Sequence, residues 1–235
     1  MPEAWKGGLG VTEALGQGSA KVANSLAMAI HEHRLAPGMK LSEDEVGEIY
    51  GVSRTVVRAA LQHLAHEHLV ELKRNRGAYV AQPTVREARE VFETRALLEP
   101  RTAHSAALRC GPEDVAILQG HIEEEHAALA QGDAGRALNL SGQFHIEIAR
   151  IADQTTIADF IAQLVSRSSL IIALYWQRRA ALCESHAHDL LLRALERHDA
   201  EAAEQAMKEH LLDLLTSLDL SDRPSVPTSL KDALG

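Results

Sequence analysis

Residues 41–80, LSEDEVGEIYGVSRTVVRAALQHLAHEHLVELKRNRGAYV, constrain the fold more than any other stretch. Ser42, followed three residues later by Glu45, is a capping box that opens a short helix with Val46 and Ile49 facing inward; Gly51 makes the turn after it. Ser53 caps a second helix, with Val57, Ala60, Leu61 and Leu64 on its buried side. Two short apolar runs, 69–72 and 78–81, flank Lys73-Arg74-Asn75-Arg76-Gly77, a basic hairpin tip in which Gly77 suits a positive φ. Two helices, a tight turn and a hairpin in this order make a winged helix-turn-helix, a shape that reads double-stranded DNA.

The flanking chain reads as helix. Residues 1–18 are Gly-rich without an apolar stripe and are expected to be a flexible extension. A first helix should run from about 19 to 35, with Val22, Leu26, Ala29 and Ile30 on one face and Pro37-Gly38 ending it. Beyond the linker Gln82-Pro83-Thr84, helices are expected near 84–109, 112–131, 133–152, 155–180, 185–198 and 200–218. Gly111-Pro112, Gly132-Asp133, Asp153 and His198-Asp199 supply the breaks. Pro100 should kink the first of these rather than end it, because the apolar period continues through Ala103 and Ala107. Short loops favour an antiparallel bundle of about six helices. The expected fold is therefore mainly α: a winged helix-turn-helix over 19–82, an all-helical domain over 84–220 and a flexible tail over 221–235.

Composition agrees, since aromatic residues are only 3% while hydrophobic residues reach 46%, a balance suited to packed helices. No run of some eighteen apolar residues and no secretion signal is present, so no membrane partner is expected. Cys110 and Cys183 stand far apart without CxxC spacing, which points to a reduced, cytoplasmic protein. The net charge of −9 divides unevenly. Residues 1–83 hold nine basic and nine acidic residues, and residues 84–235 the other fifteen and twenty-four. Arg54, Arg58, Lys73, Arg74 and Arg76 thus concentrate positive charge where DNA would be read.

A recognition helix offers its first residues to bases and phosphates. Here these are Ser53, Arg54, Thr55 and Arg58, with Arg74, Arg76 and Gly77 at the wing; an ordinary charged surface helix is the alternative. Leu41-x-Glu43, Gly51-Val52-Ser53-Arg54-Thr55, Val57-Arg58-x-Ala60-Leu61, Leu64 and Leu69-Val70 resemble the DNA-binding domain of GntR-type regulators. Two positions depart from that pattern. Val56 stands where the family usually has proline. Asp44 stands where many members of the FadR branch carry a basic residue, which removes a phosphate contact.

In the helical half, three histidines lie on apolar stripes: His145 with Leu138, Ser141, Ile148 and Ala152; His188 with Leu191, Leu192 and Leu195; His210 with Ala203, Met207 and Leu214. Convergent neutral imidazoles suit Zn²⁺ or Ni²⁺, whereas separate burial of each in the core is the plainer alternative. Arg95 also lies on a core-facing stripe, and a buried guanidinium requires an anion, either an internal carboxylate such as Glu147 or an effector carboxylate. Arg167 is a weaker second clamp. His31, His121, His126 and His186 have no comparable support, and Glu123-Glu124-Glu125 reads as a solvated helix face.

Arg95-x-x-Leu98-Glu99-Pro100, Phe144-His145, His188-x-x-Leu191-Leu192-x-Ala194-Leu195, Asp199-Ala200-Glu201-Ala202-Ala203 and His210-Leu211 resemble the FCD effector domain of FadR-type regulators. The resemblance implies a divalent metal on His145, His188 and His210, with Ser141 where many members have an aspartate ligand. It also implies a small organic acid effector beside Arg95. The expected protein is a DNA-binding transcription regulator, not an enzyme, acting as a homodimer on an inverted-repeat operator. A metal-sensing regulator is one alternative, and a metalloenzyme with a DNA-targeting domain a remote one.

Overall fold

The computed structural model describes residues 16–176 and 185–221. Most of the expected N-terminal extension and C-terminal tail, together with Cys183, lies outside them. The winged part contains α1 (Gln17–His31), β1 (Lys40–Leu41), α2 (Glu43–Tyr50), α3 (Arg54–His66), β2 (Val70–Lys73) and β3 (Gly77–Val80). Val22, Leu26, Ile30, Val57, Leu61 and Leu64 form its core. Ser42 caps α2 by accepting from the Glu45 amide, and Gly51 ends it in the left-handed region at φ 64°.

Four local expectations change. Ile49 is 75% exposed rather than inward. The inward register of α2 is Val46 and Tyr50, four apart; Tyr50 packs on the core and its hydroxyl lies 2.7 Å from Ser25 Oγ. Helix α1 stops before Leu35, because His33 turns left-handed at φ 56° and the Leu35 amide returns to the Ala29 carbonyl at 2.9 Å. Ser53 caps α3 by position alone, without a side-chain bond, so its hydroxyl faces solvent. Finally, the hairpin gains a third strand, giving the order β1-β3-β2 with Lys40 opposite Tyr79 and Leu41 opposite Ala78. Two residues are too few to announce a strand by alternation.

The helical part contains α4 (Val85–Ala107), α5 (Pro112–Ala130), α6 (Ala134–Ile151), α7 (Thr155–Tyr175), α8 (Ser185–Glu196) and α9 (Ala200–Thr216). Thr84 and Glu87 form a reciprocal capping box that starts α4, and the helix continues through Pro100. Asp133 and Asp199 cap α6 and α9 in the same side-chain-to-amide manner. Phe92, Leu118, Ile122, Phe144, Ile148, Leu195 and Met207 are among the large side chains of the core. Helix α7 has a mean hydropathy of 1.5, long and apolar enough to cross a membrane by composition alone. Its packing against α4 and α6 and the full burial of Leu170 and Ile171 give that apolar character a place inside the protein.

Candidate metal centre and nucleic-acid interface

At the winged end, Ser53, Arg54, Thr55, Arg58, Arg74, Arg76 and Gly77 are all exposed. Gly77 has φ 92° and Asn75 φ 58°, the left-handed geometry that turns the wing. Among the described residues, neither Arg74 nor Arg76 has an acidic partner. The two recognition-helix arginines do. Glu43 holds Arg58 through two bonds of 3.1 and 2.8 Å, and Asp44 pairs with Arg54. The hydrogen bond from Arg58 holds the Glu43 carboxyl below its usual range. Such exposed pairs are weak and yield readily to phosphate. Val56 is half-buried and faces Gly18 of α1, a packing role that its sequence position did not suggest.

At the helical end, α6, α8 and α9 each contribute one buried histidine, and ligand-capable nitrogens of His145, His188 and His210 lie within 4.8 Å of one another. The apolar stripes carrying them are what aim these imidazoles inward. The rings pack closely: His145 stacks on His210 with centroids 5.1 Å apart, and Phe144 covers His188 at 4.5 Å. Burial pushes His145 below the ordinary imidazole range against the pull of Glu99, and pushes His210 far below it.

Two glutamates orient the cluster. His145 Nδ1–H donates to Glu99 Oε2 at 2.7 Å, and His188 Nδ1–H to Glu125 Oε2 at 2.9 Å. A neutral imidazole that donates through Nδ1 has a bare Nε2, the form that binds a metal. His188 Nε2 is buried without a hydrogen-bond partner, and His145 Nε2 lies 3.1 Å from His210 Nε2. Nitrogens sharing one tetrahedral zinc at about 2.0–2.1 Å would lie roughly 3.3 Å apart. The donor set therefore fits a divalent ion such as Zn²⁺ or Ni²⁺. Ser141 lines the adjoining cavity and brings a hydroxyl, not a carboxylate, to this wall.

Glu99 is also the internal anion of Arg95. Arg95 Nε donates to Glu99 Oε1 at 2.6 Å, and a terminal nitrogen donates to Ser168 Oγ at 3.2 Å. The expected candidate Glu147 instead pairs with Arg150 on the same helix at 2.9 Å. Burial alone would raise the Glu99 pKa, but Arg95 and His145 overcome it and bring it down to about 2. Arg95 still lines the cavity, with N–H groups beyond those two partners. The cavity has room for several waters. Arg167 is not on its wall; it lies 4.0 Å from Glu87, near the capping box of α4.

Three site residues escaped the sequence reading. Glu99 lies one helical turn after Arg95, inside Arg95-x-x-Leu98-Glu99-Pro100, so the spacing itself marks an i,i+4 bridge. Glu125 is buried, not part of a solvated face, although Glu123 and Glu124 are exposed. Its signal was the spacing Leu118, Ile122, Glu125, Leu129 on α5. His31 comes from the winged part yet lines the cavity. His186, the rival to His188, is exposed.

Comparison with known proteins agrees with this division. Residues 19–80 match the profile described as bacterial regulatory proteins, gntR family, and residues 90–213 match the FCD domain. The second match alone spans more than half the chain. The chain belongs to the GntR family and carries an FCD domain. This GntR-family regulator is 30% identical to the Uxu operon transcriptional regulator of Escherichia coli over 201 residues, covering 74% of this chain and 76% of that protein. It is 28% identical over 187 residues to the HTH-type transcriptional repressor RspR of the same organism, covering 78% and 81%. In fold it resembles E. coli McbR/YncC, with a TM-score of 0.77, 24% identity and coverage of 86% and 97%. It is thus a transcription regulator with a helix-turn-helix DNA-binding domain; its families and relatives are regulators rather than enzymes.

Proposed function

We propose that this regulator, cytoplasmic and homodimeric, binds an inverted-repeat operator, and that a small carboxylate effector in the helical cavity sets its operator affinity. A divalent metal, Zn²⁺ or Ni²⁺, on His145, His188 and His210 is part of that site. The observation that carries this reading is a cluster of three buried imidazoles, two of them backed by glutamates, one of which, His145, lines the same cavity as Arg95. Charge supports it further. With the histidines neutral, Arg95 and Glu99 cancel and Glu125 leaves the buried group formally at −1. A divalent ion would reverse the sign to +1 and make the cavity attractive to a carboxylate. When bound, the ion supplies Lewis acidity toward ligand oxygens. The protein's own part is to orient the imidazoles, through Glu99 and Glu125, and to hold Arg95 toward the cavity.

At the DNA end, Arg54 and Arg58 are the residues suited to a bidentate guanine contact, worth about 1–3 kcal/mol in base discrimination. Ser53, Thr55, Arg74, Arg76 and Gly77 suit backbone or minor-groove contacts. The test has two arms. Elemental analysis and a thermal-shift screen of small carboxylic acids, with and without metal, should show metal and effector stabilisation in the wild type and loss of both in His145→Ala. Gel shifts on an operator selected in vitro should show specific binding that Arg58→Ala abolishes. Unchanged metal content and stabilisation in His145→Ala would remove the effector reading, and retained specificity in Arg58→Ala the recognition-helix reading. A metal-sensing regulator is the second reading, since the histidine cluster fits an ion with no effector present. It fails if stripping and refilling the metal leave operator binding unchanged.

Asp44 gives a separate prediction. It pairs with Arg54 at the start of the recognition helix, so on DNA its negative charge would oppose nearby phosphates. Asp44→Asn should strengthen DNA binding at low salt and steepen the slope of log K against log salt by up to about 1. An unchanged slope would mean that the Asp44 charge lies too far from the phosphates to oppose them.

A further inference from the structure

The ligand cavity is not built from the helical domain alone. His31, the last residue of α1 and 2% exposed, forms part of its wall. Three consecutive residues of α7 tie the cavity to the winged domain. Ser168 accepts from Arg95 at 3.2 Å. Ser169 Oγ donates to the His31 carbonyl at 3.1 Å, while its own carbonyl lies 3.0 Å from His33 Nε2. Leu170, fully buried, belongs to the core cluster of the winged domain, alongside Val22, Leu26 and Ile30 of α1. A fourth contact comes from α6, where the Gly135 backbone lies so close to the Glu32 carbonyl that no Cβ would fit. The end of α1 is therefore seated directly on the helices that carry Arg95's partner and His145.

The wall has two polar chemistries. Arg95 and His145 suit a carboxylate, with Glu125 engaged by His188, whereas His31, Asn139 and Ser141 are hydrogen-bonding groups suited to a hydroxyl or carbonyl. Burial keeps the His31 imidazole neutral, with its pKa lowered to about 4. We propose that His31 is a recognition residue of the cavity, hydrogen-bonding the hydroxyl of a small hydroxy acid whose carboxylate lies toward Arg95. Helix α1 thereby senses occupancy directly rather than through the linker between the domains. This rests on the reading of the cavity as an effector site. A ligand that binds His31 differently in the free and DNA-bound forms must, by linkage, change operator affinity.

The test uses the full chain loaded with Zn²⁺ and titrated calorimetrically with lactate, malate and citrate, with succinate as the acid lacking a hydroxyl. A hydroxy acid should bind the wild type, bind His31→Ala at least ten-fold more weakly, and bind His31→Gln with intermediate affinity, while zinc content is unchanged in both variants. Hydrogen exchange on the wild type should show the bound acid slowing residues 28–35, a readout that stands even if His31→Ala does not fold. Equal affinity in wild type and variants, or no change in exchange over 28–35, would overturn the role of His31 and leave the effector site intact. No binding of any of the four acids to zinc-loaded wild type would overturn both readings together.

Discussion

Glu99→Ala is expected to destabilise the protein by about 3–5 kcal/mol, the cost typical of removing one partner from a buried ion pair. Glu99 is 2% exposed and serves two groups at once, holding Arg95 at 2.6 Å and His145 Nδ1 at 2.7 Å. Its loss leaves a buried guanidinium with Ser168 as its remaining acceptor among the described residues, and an imidazole able to change tautomer. The second effect should lower metal affinity by roughly 10–100-fold, as for other groups that orient metal-binding histidines. Urea titration reads the first loss and competition with a chelator the second. Glu99→Gln should separate them, because the amide oxygen still accepts from His145 but no longer neutralises Arg95. The double variant Arg95→Met/Glu99→Leu should regain much of the stability and none of the histidine orientation. A single variant within about 1 kcal/mol of wild type would mean that Arg95 finds another anion or escapes to solvent.

Metal-free protein should lose stability as pH falls from about 6.5 to about 4. His31 has its pKa lowered from the ordinary 6.5 to about 4, chiefly by burial and further by His33. Between those values the unfolded chain holds a proton that the folded chain does not, so stability is full above 6.5, declines with falling pH and levels off below the folded value. A gap of about 2.5 pH units corresponds to about 3 kcal/mol as an upper figure. His145 and His210 are lowered as well and steepen the decline. Glu99, lowered to about 2, acts in a separate window: its contribution is present above 4.5 and is lost as pH falls toward 2. Urea midpoints at pH 7.5, 5.5 and 4.5 measure the first window, and His31→Gln should flatten it. A midpoint constant from pH 7.5 to 4.5 would place these imidazoles in contact with solvent.

Much of the molecule could be read from local pattern. The turn at Gly51, the wing at Gly77 and the aspartate caps at Asp133 and Asp199 are encoded within a few residues, so the sequence displays them directly. The histidine stripes were equally legible, because each is a matter of helical spacing on its own helix. What failed was local register in a short helix. Over the eight residues of α2, spacings of three and four compete, and only contact with Ser25 and the α1 core selects Tyr50 over Ile49. Glu125 failed for a related reason. In a run of three glutamates, exposure is the ordinary expectation, and only His188 from a distant helix makes one of them an interior residue.

By itself, then, the sequence determined the order of the helices, the winged DNA-reading unit with its basic tip, and the three helices that carry His145, His188 and His210. Each of these depends on neighbours within about two helical turns, a range over which backbone geometry fixes what faces what. Tertiary structure alone decided which carboxylates satisfy the imidazoles, that Arg58 and Arg54 are held by Glu43 and Asp44, and that His31 of the winged domain borders the cavity beside Arg95. Those outcomes join residues on different elements, up to 138 apart in the case of Ser169 and His31. Apart from the exposed arginine pairs, their energy comes from burying polar groups in company, which no single helix can do.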